Sequence, residues 1–446
     1  MKKLIIIILT ICLPVVFFIS CNPTITNPFG TGKLGTFATS KDAITYVAIG
    51  NSITAGYMDG SVYSAGNNFS FPKQLAQQLG ISNFVQPDVA DPGIGSRIKF
   101  KGFTAAGSPI LSITTSQSAV NNLTYPKPFN NLGVPGAVVY DLIDTSDYMI
   151  RSQKFQNPFY ASFLRSAAFG KSMADEAINL QPTFITLEMG ANDVLGYATS
   201  GGTVSTTFLN GDAIPTPKDA FLAMYKSALT KLTTALPNTK IIMFTVPDVT
   251  GTPFFKTVPW NALVLTEQAI VDALNAAYSQ LGFKFKLGQN GFVVASPKSP
   301  GGMKQLTADD ALLLTVPQDS LSLGMGSMRP IPKKYVLLKD EITIVKNTVN
   351  DYNTGIISLT TLSQNIKVFD FNQVFLNIIA QGYAVPGSTT MSNSFISGEI
   401  FSTDGIHPTP RGYGAVVNEL IKYINLNYGA DIPLVEIQNL PATRLY

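Results

Sequence analysis

The chain has 446 residues, 45% hydrophobic and 13% charged, with a formal net charge of +3. That apolar share supports a sizeable core and excludes a disordered or acidic solvating chain. A charge this weak, with no long basic run, argues against nucleic acid as a partner.

The N-terminus sets the compartment. Lys2 and Lys3 precede an apolar run from Leu4 to Ile19, which Ser20 and Cys21 close. A short basic start, an apolar segment and a small residue at its end predict a secretory signal over 1–20, too short to span a bilayer comfortably. Phe18-Ile19-Ser20-Cys21 resembles a bacterial lipobox. That resemblance implies acylation of Cys21 and an exported lipoprotein anchored to a membrane of the bacterial cell envelope; the alternatives are a signal cut elsewhere or an uncleaved anchor. The other cysteine, Cys12, lies inside the apolar run, so the mature body has no thiol pair for a disulfide and its core must stabilise it unaided. The Pro- and Thr-containing stretch over 21–41 reads as a tether, with one domain over 42–446.

From Ile44 onward, apolar runs of strand length alternate with helical periodicity, which implies α/β architecture with a parallel sheet. The candidate strands are Ile44–Ile49, Phe184–Met189, Lys240–Val246 and Lys367–Phe371, with a further short one before Gly133. They are short and mostly unalternating, as strands buried on both faces should be. Helices are expected over Phe71–Leu79, Tyr160–Leu180, Asp219–Leu236, Leu263–Leu281, Asp340–Ser363 and Gly412–Asn427. Two long turn-rich insertions interrupt the alternation, at about 57–131 and 283–332. Such loops are either surface insertions or lids and binding loops, and the sequence leaves both open.

Four short blocks carry chemistry. Gly50-Asn51-Ser52-Ile53-Thr54 follows the first strand directly, and sites in open α/β sheets form at the carboxyl ends of strands. Ser52 there is either a helix cap or a nucleophile. Asn131-Leu132-Gly133-Val134-Pro135-Gly136-Ala137 precedes an apolar helical stretch, and backbone N–H groups at such a glycine can receive an oxyanion. The bland alternative is an ordinary turn. Gly190-Ala191-Asn192-Asp193 ends the second strand, placing an amide where negative charge can be met and an aspartate that can brace the loop. Asp404-Gly405-Ile406-His407-Pro408 holds the only histidine of the chain. A spacing of three puts the carboxylate beside the imidazole, so that it can accept from Nδ1–H and leave Nε2 facing a nucleophile.

Together the four blocks resemble the GDSL-like lipases and esterases, the SGNH-hydrolase superfamily, named for Ser, Gly, Asn and His in that chain order. The matching residues are Ser52, Gly136, Asn192 and His407, with the acid at Asp404. The first block departs from the usual Gly-Asp-Ser in having Asn51. The resemblance implies a three-layer α/β/α, flavodoxin-like fold with a five-stranded parallel sheet. It also implies a Ser52 nucleophile, His407 base and Asp404 orienter, and an oxyanion held by Ser52, Gly136 and Asn192.

Competing motifs fail. No Gly-x-Ser-x-Gly elbow follows a strand, Gly170-Lys171-Ser172 lacks the earlier glycine of a phosphate loop, and Gly324-Met325-Gly326 does not complete a dinucleotide fingerprint. One histidine and no thiol in the body give no zinc site, so neither a metal nor a cofactor is expected. The expected activity is hydrolysis of a small-molecule or lipid ester by acyl transfer to water. The alternatives are a carbohydrate O-acetyl esterase and, from another class, a non-catalytic surface protein that binds lipid or glycan.

Overall fold

The computed structural model describes residues 30–103, 109–154, 156–208 and 212–443. Cys21 and the expected signal lie outside the described residues. Five strands form the central sheet: β1 (Tyr46–Gly50), β2 (Asn131–Gly133), β3 (Phe184–Glu188), β4 (Lys240–Phe244) and β5 (Ile366–Phe369). Their order is β5-β4-β3-β1-β2, and every pairing is parallel.

The unalternating apolar strands have their explanation in two covered faces. Val47, Ile49, Ile185, Leu187, Ile241 and Met243 point to one side, where they pack in one core cluster with α2 (Met173–Asn179), α4 (Lys218–Ala235) and α5 (Lys339–Ser358). Tyr46, Ala48, Phe184, Ile242, Phe244 and Phe369 point to the other, against α1 (Phe71–Gln78), α6 (Phe371–Gln381) and α7 (Pro410–Tyr428). The α3 helix (Asn192–Thr199) follows the carboxyl end of β3, the middle strand of the sheet. The result is the expected three-layer α/β/α sandwich, with a period-two division of each strand between the layers.

Several boundaries differ from the sequence reading. The helix expected over Tyr160–Leu180 is broken into a short turn at Tyr160–Leu164 and α2. Between them Arg165 and Gly170 take positive φ, and the Ser172 side chain caps α2 by accepting from Asp175 N–H. The expected helix over Leu263–Leu281 begins instead at Gln268, because Leu263–Leu265 pairs antiparallel with Gly288–Asn290. The last strand stops at Phe369, since Asp370 caps α6, a helix the sequence reading missed.

The insertions are structured. The first carries α1 and an antiparallel sheet of Ser61–Val62, Ile94–Phe103 and Pro109–Gln117. The second consists of short hairpins around an apolar cluster that includes Phe292, Val294, Leu306 and Ile331. The stretch read as tether is packed from Gly30 onward: Leu34 and Phe37 are buried, and Gly32 and Thr36 donate to Asp431 and Tyr428 carbonyls at the end of α7 and just beyond it.

Candidate active site

Three neighbouring strands bring three of the blocks together. Gly50 pairs with Gly133 on one side and Glu188 on the other. The turns that leave β2, β1 and β3 therefore emerge side by side, one strand spacing of about 4.8 Å apart. Gly50 is required there, because a Cβ at that position would lie 2.6 Å from the Glu188 carbonyl. The short helix Ser52–Ala55 follows, with the Asn51 side chain capping it by accepting from Ile53 N–H at 3.0 Å. Ser52 is thus the first helical residue and Asn51 is the cap.

The fourth block comes from the loop before α7. Thr409 caps that helix and Pro410 fills its first turn, which fixes the residues just ahead. His407 Nε2 lies 2.8 Å from Ser52 Oγ, and His407 Nδ1 lies 3.0 Å from Asp404 Oδ2. With Nδ1–H donating to the carboxylate, Nε2 is the acceptor for the Ser52 hydroxyl. Asp404 Oδ1 accepts the Ile406 and His407 backbone N–H groups, each at 2.9 Å. Oδ2 accepts a further N–H from Gly60 at 3.1 Å. Burial pushes the Asp404 carboxyl up, but the imidazole and these donors outweigh it and hold its pKa below the ordinary value.

Gly136 follows β2 with φ +84, in the left-handed region that favours glycine. The Asn157 amide donates to the Pro135 carbonyl at 2.7 Å. That carbonyl belongs to the same planar peptide as the Gly136 N–H, so holding the oxygen aims the N–H the opposite way. Asn192, the first residue of α3, donates one amide hydrogen to the Ala137 carbonyl at 2.8 Å. Its second hydrogen is the one that can meet a ligand. Asp193 is buried and does brace the loop: its carboxylate accepts from Val139 N–H at 2.9 Å and from the Thr216 hydroxyl at 2.8 Å. Burial pushes its carboxyl up to about 7 against those bonds.

A serine, an imidazole and a carboxylate in one hydrogen-bonded chain, at strand ends that also carry the Gly136 and Asn192 turns, have the arrangement that acyl transfer calls for. The GDSL-like lipase/acylhydrolase model matches residues 46–420. The chain belongs to that family. Its members are hydrolases of ester substrates, and the match runs from β1 into α7. No curated protein matches the chain. A solved structure described as a putative GDSL-like lipase, from Parabacteroides merdae, is similar at 13% identity over 85% of this chain and 95% of that one, with a TM-score of 0.34.

Around this GDSL-like site lie residues the sequence reading did not single out. The Tyr57 ring packs on His407 with centroids 4.7 Å apart, and Phe159 meets Tyr57 edge-on. Burial, and secondarily the Asp404 charge, raises the Tyr57 pKa, so its phenol stays neutral. Asp59 accepts from the Thr403 N–H at 2.9 Å, the Thr403 hydroxyl at 2.8 Å and the Tyr63 hydroxyl at 2.6 Å. It ties the first insertion to the loop of Asp404. From the other side, Phe254 N–H donates to the Gly405 carbonyl and Leu314 N–H donates to the Phe254 carbonyl, so the second insertion reaches the same loop. Asp-Gly at 59–60 is legible as a turn, but nothing in the sequence says what that turn grips. Among the described residues no group of His, Cys, Asp and Glu is placed to hold a metal.

Proposed function

We propose that the protein is a serine carboxylic ester hydrolase in which Ser52 is the nucleophile, His407 the base and Asp404 the orienting acid. The observation that carries this reading is the continuous chain from Asp404 Oδ2 through both ring nitrogens of His407 to Ser52 Oγ, with links of 3.0 and 2.8 Å.

His407 Nε2 takes the Ser52 proton as Oγ attacks the ester carbonyl. The carbonyl π electrons move to the oxygen, and the Ser52 and Gly136 N–H groups with the Asn192 amide stabilise the oxyanion. As the intermediate collapses, the imidazolium protonates the departing alcohol. A water molecule, deprotonated by Nε2, then attacks the acyl carbon, and Ser52 leaves with its proton restored. Asp404 keeps Nδ1 protonated and stabilises the imidazolium throughout.

The half-buried Tyr57 ring packed on His407 supports an ester with an apolar portion. A panel of p-nitrophenyl esters from acetate to palmitate, run on wild type and Ser52→Ala, tests the reaction and the chain length together. Turnover that survives in Ser52→Ala overturns the assignment. Activity confined to acetate would move the reading to an O-acetyl esterase, and a fluorophosphonate probe that fails to label Ser52 would move it to a non-catalytic binder.

The same proposal includes export and acylation at Cys21, supported by the lipobox-like Phe18-Ile19-Ser20-Cys21. Cys21→Ala should release the protein from the membrane fraction, and retention there would refute the anchor.

A further inference from the structure

Glu188, the last residue of β3, is 2% exposed and has no part in the acyl transfer set out above. Its Oε1 accepts from Asn51 Nδ2 at 2.9 Å. Its Oε2 accepts from the Thr54 hydroxyl at 3.0 Å and, more weakly, from the Asn51 backbone N–H at 3.5 Å. Every one of these donors belongs to the turn that carries Ser52, on the residue just before it and the residue two after. The orientation of the Asn51 amide is fixed by the same network: Oδ1 is committed to Ile53 N–H at 3.0 Å, so Nδ2 must face Glu188. A buried carboxyl costs more than the apolar side chain that the strand pattern of Phe-Ile-Thr-Leu calls for at this position. The donors that offset this cost bracket one residue, Ser52.

We propose that Glu188 is a positioning residue for the nucleophile, gripping the turn on both sides of Ser52 so that Oγ stays within hydrogen-bond reach of His407 Nε2. This rests on the hydrolase reading, in which Ser52 attacks. The usual Gly-Asp-Ser puts an acid next to the serine. In this chain an amide stands at 51 and the acid reaches in from the neighbouring strand. The two identities are coupled, because an acid at 51 would face the Glu188 carboxylate across the 2.9 Å now spanned by a hydrogen bond.

The coupling supplies the test. Four proteins are compared: wild type, Glu188→Gln, Asn51→Asp, and the double exchange Asn51→Asp/Glu188→Gln. The readouts are kcat and KM on the best p-nitrophenyl ester, the rate of fluorophosphonate labelling, and the thermal midpoint. In Glu188→Gln one amide orientation sets a donor against the Asn51 donor and the other loses an acceptor for Thr54, while Asn51→Asp removes the Nδ2 donor and sets acid against acid. Each single change should lower kcat and labelling roughly ten- to a hundredfold through misplacement of the nucleophile, with KM nearly unchanged. In the double exchange, the amide introduced at 188 can donate to the carboxylate introduced at 51 and still accept from the Thr54 hydroxyl, so activity should return to within a few-fold of wild type. Wild-type kcat in Glu188→Gln overturns the proposal, as does a folded double variant no better than the singles. If an exchange variant fails to fold, Thr54→Val removes only the hydroxyl that Glu188 holds. A fall in its kcat and labelling at constant KM supports the clamp, and wild-type rates overturn it. The hydrolase reading fails separately: an active Ser52→Ala sinks both, whereas an inactive Ser52→Ala beside an unimpaired Glu188→Gln sinks the clamp alone.

Discussion

Gly60 N–H meets Asp404 Oδ2 at 3.1 Å across 344 positions of sequence. The candidate acid is therefore held from two directions, by its own loop and by the start of the first insertion. Its two oxygens accept three backbone N–H groups and the His407 ring N–H, so the carboxylate has no position at which an amide hydrogen would be welcome. Asp404→Asn should keep the fold and lose about ten-thousandfold in kcat, because the amide favours the wrong imidazole tautomer. Steady-state kinetics beside an unchanged circular dichroism spectrum checks this. A loss under tenfold would show that Asp404 does not orient the base.

Asp59 makes the second tie between the same two segments. It has φ +54 and its three acceptor contacts are to Thr403 and Tyr63. Asp59→Ala should cost about 1–3 kcal/mol for the donors left unsatisfied, plus a penalty of about 1 kcal/mol for alanine in the left-handed region. Asp59→Asn should be much milder, since asparagine tolerates that backbone and can still accept from Thr403 while the Tyr63 hydroxyl turns to accept. Urea melts of the two variants decide it, and equal destabilisation would refute this account of the clamp.

The residues that were legible in the sequence share one property: each lies within a few positions of a strand end or a helix start. Ser52, Gly136, Asn192 and the Asp404–His407 pair can be read from local punctuation, and the sheet needed only apolar runs with two covered faces. The residues that were not legible act on partners far away. Asp59 reaches Thr403 over 344 positions, Glu188 reaches Asn51 over 137, and Asn157 reaches Pro135 over 22. No periodicity encodes such contacts, because they depend on the strand order and on where the insertions return. The broken helix between Tyr160 and Leu180 failed for a related reason. Apolar spacing continued through it, while Gly170 and the Ser172 cap set the backbone.

Asn157 and Asn192 should separate by magnitude. In the proposed mechanism Asn192 offers its amide hydrogen to the oxyanion itself, so Asn192→Ala should lower kcat roughly a hundred- to a thousandfold. Asn157 touches the Pro135 carbonyl and acts through the Gly136 peptide, so Asn157→Ala should lower kcat by about tenfold with KM little changed. A transition-state analogue makes the distinction directly. Both variants should bind a boronic acid more weakly in proportion to their loss of kcat, and undiminished binding would remove the residue concerned from the oxyanion site.

Glu188 and Asp193 also set a pH dependence of stability. Both are fully buried, and burial pushes each carboxyl up to about 7, against hydrogen bonds from Thr54 and Asn51 in one case and Thr216 and Val139 in the other. The charged and titratable neighbours coupled to them are Tyr225 and Tyr413 for Glu188, and Asp141 and Tyr352 for Asp193. The tyrosines are held well above their ordinary range and the Asp141 carboxyl is itself raised by burial. In the unfolded chain these carboxyls titrate near 4, at about 3.9 for Asp and about 4.3 for Glu. Between about pH 4 and about pH 7 the unfolded chain has released protons that the native state still holds, so stability falls as pH rises through that window. Above about 7 both states are ionised, and these two groups add no further slope. Asp404 acts with the opposite sign: its depressed pKa adds stability above the ordinary carboxylate range and loses it as pH falls through the native value. The thermal midpoint should therefore decline from mildly acidic to neutral pH, and Glu188→Gln should flatten that decline even though it lowers the midpoint itself. Melting curves of wild type and Glu188→Gln from about pH 4 to about pH 8 measure both slopes, and parallel curves would show that Glu188 is already ionised at the acidic end.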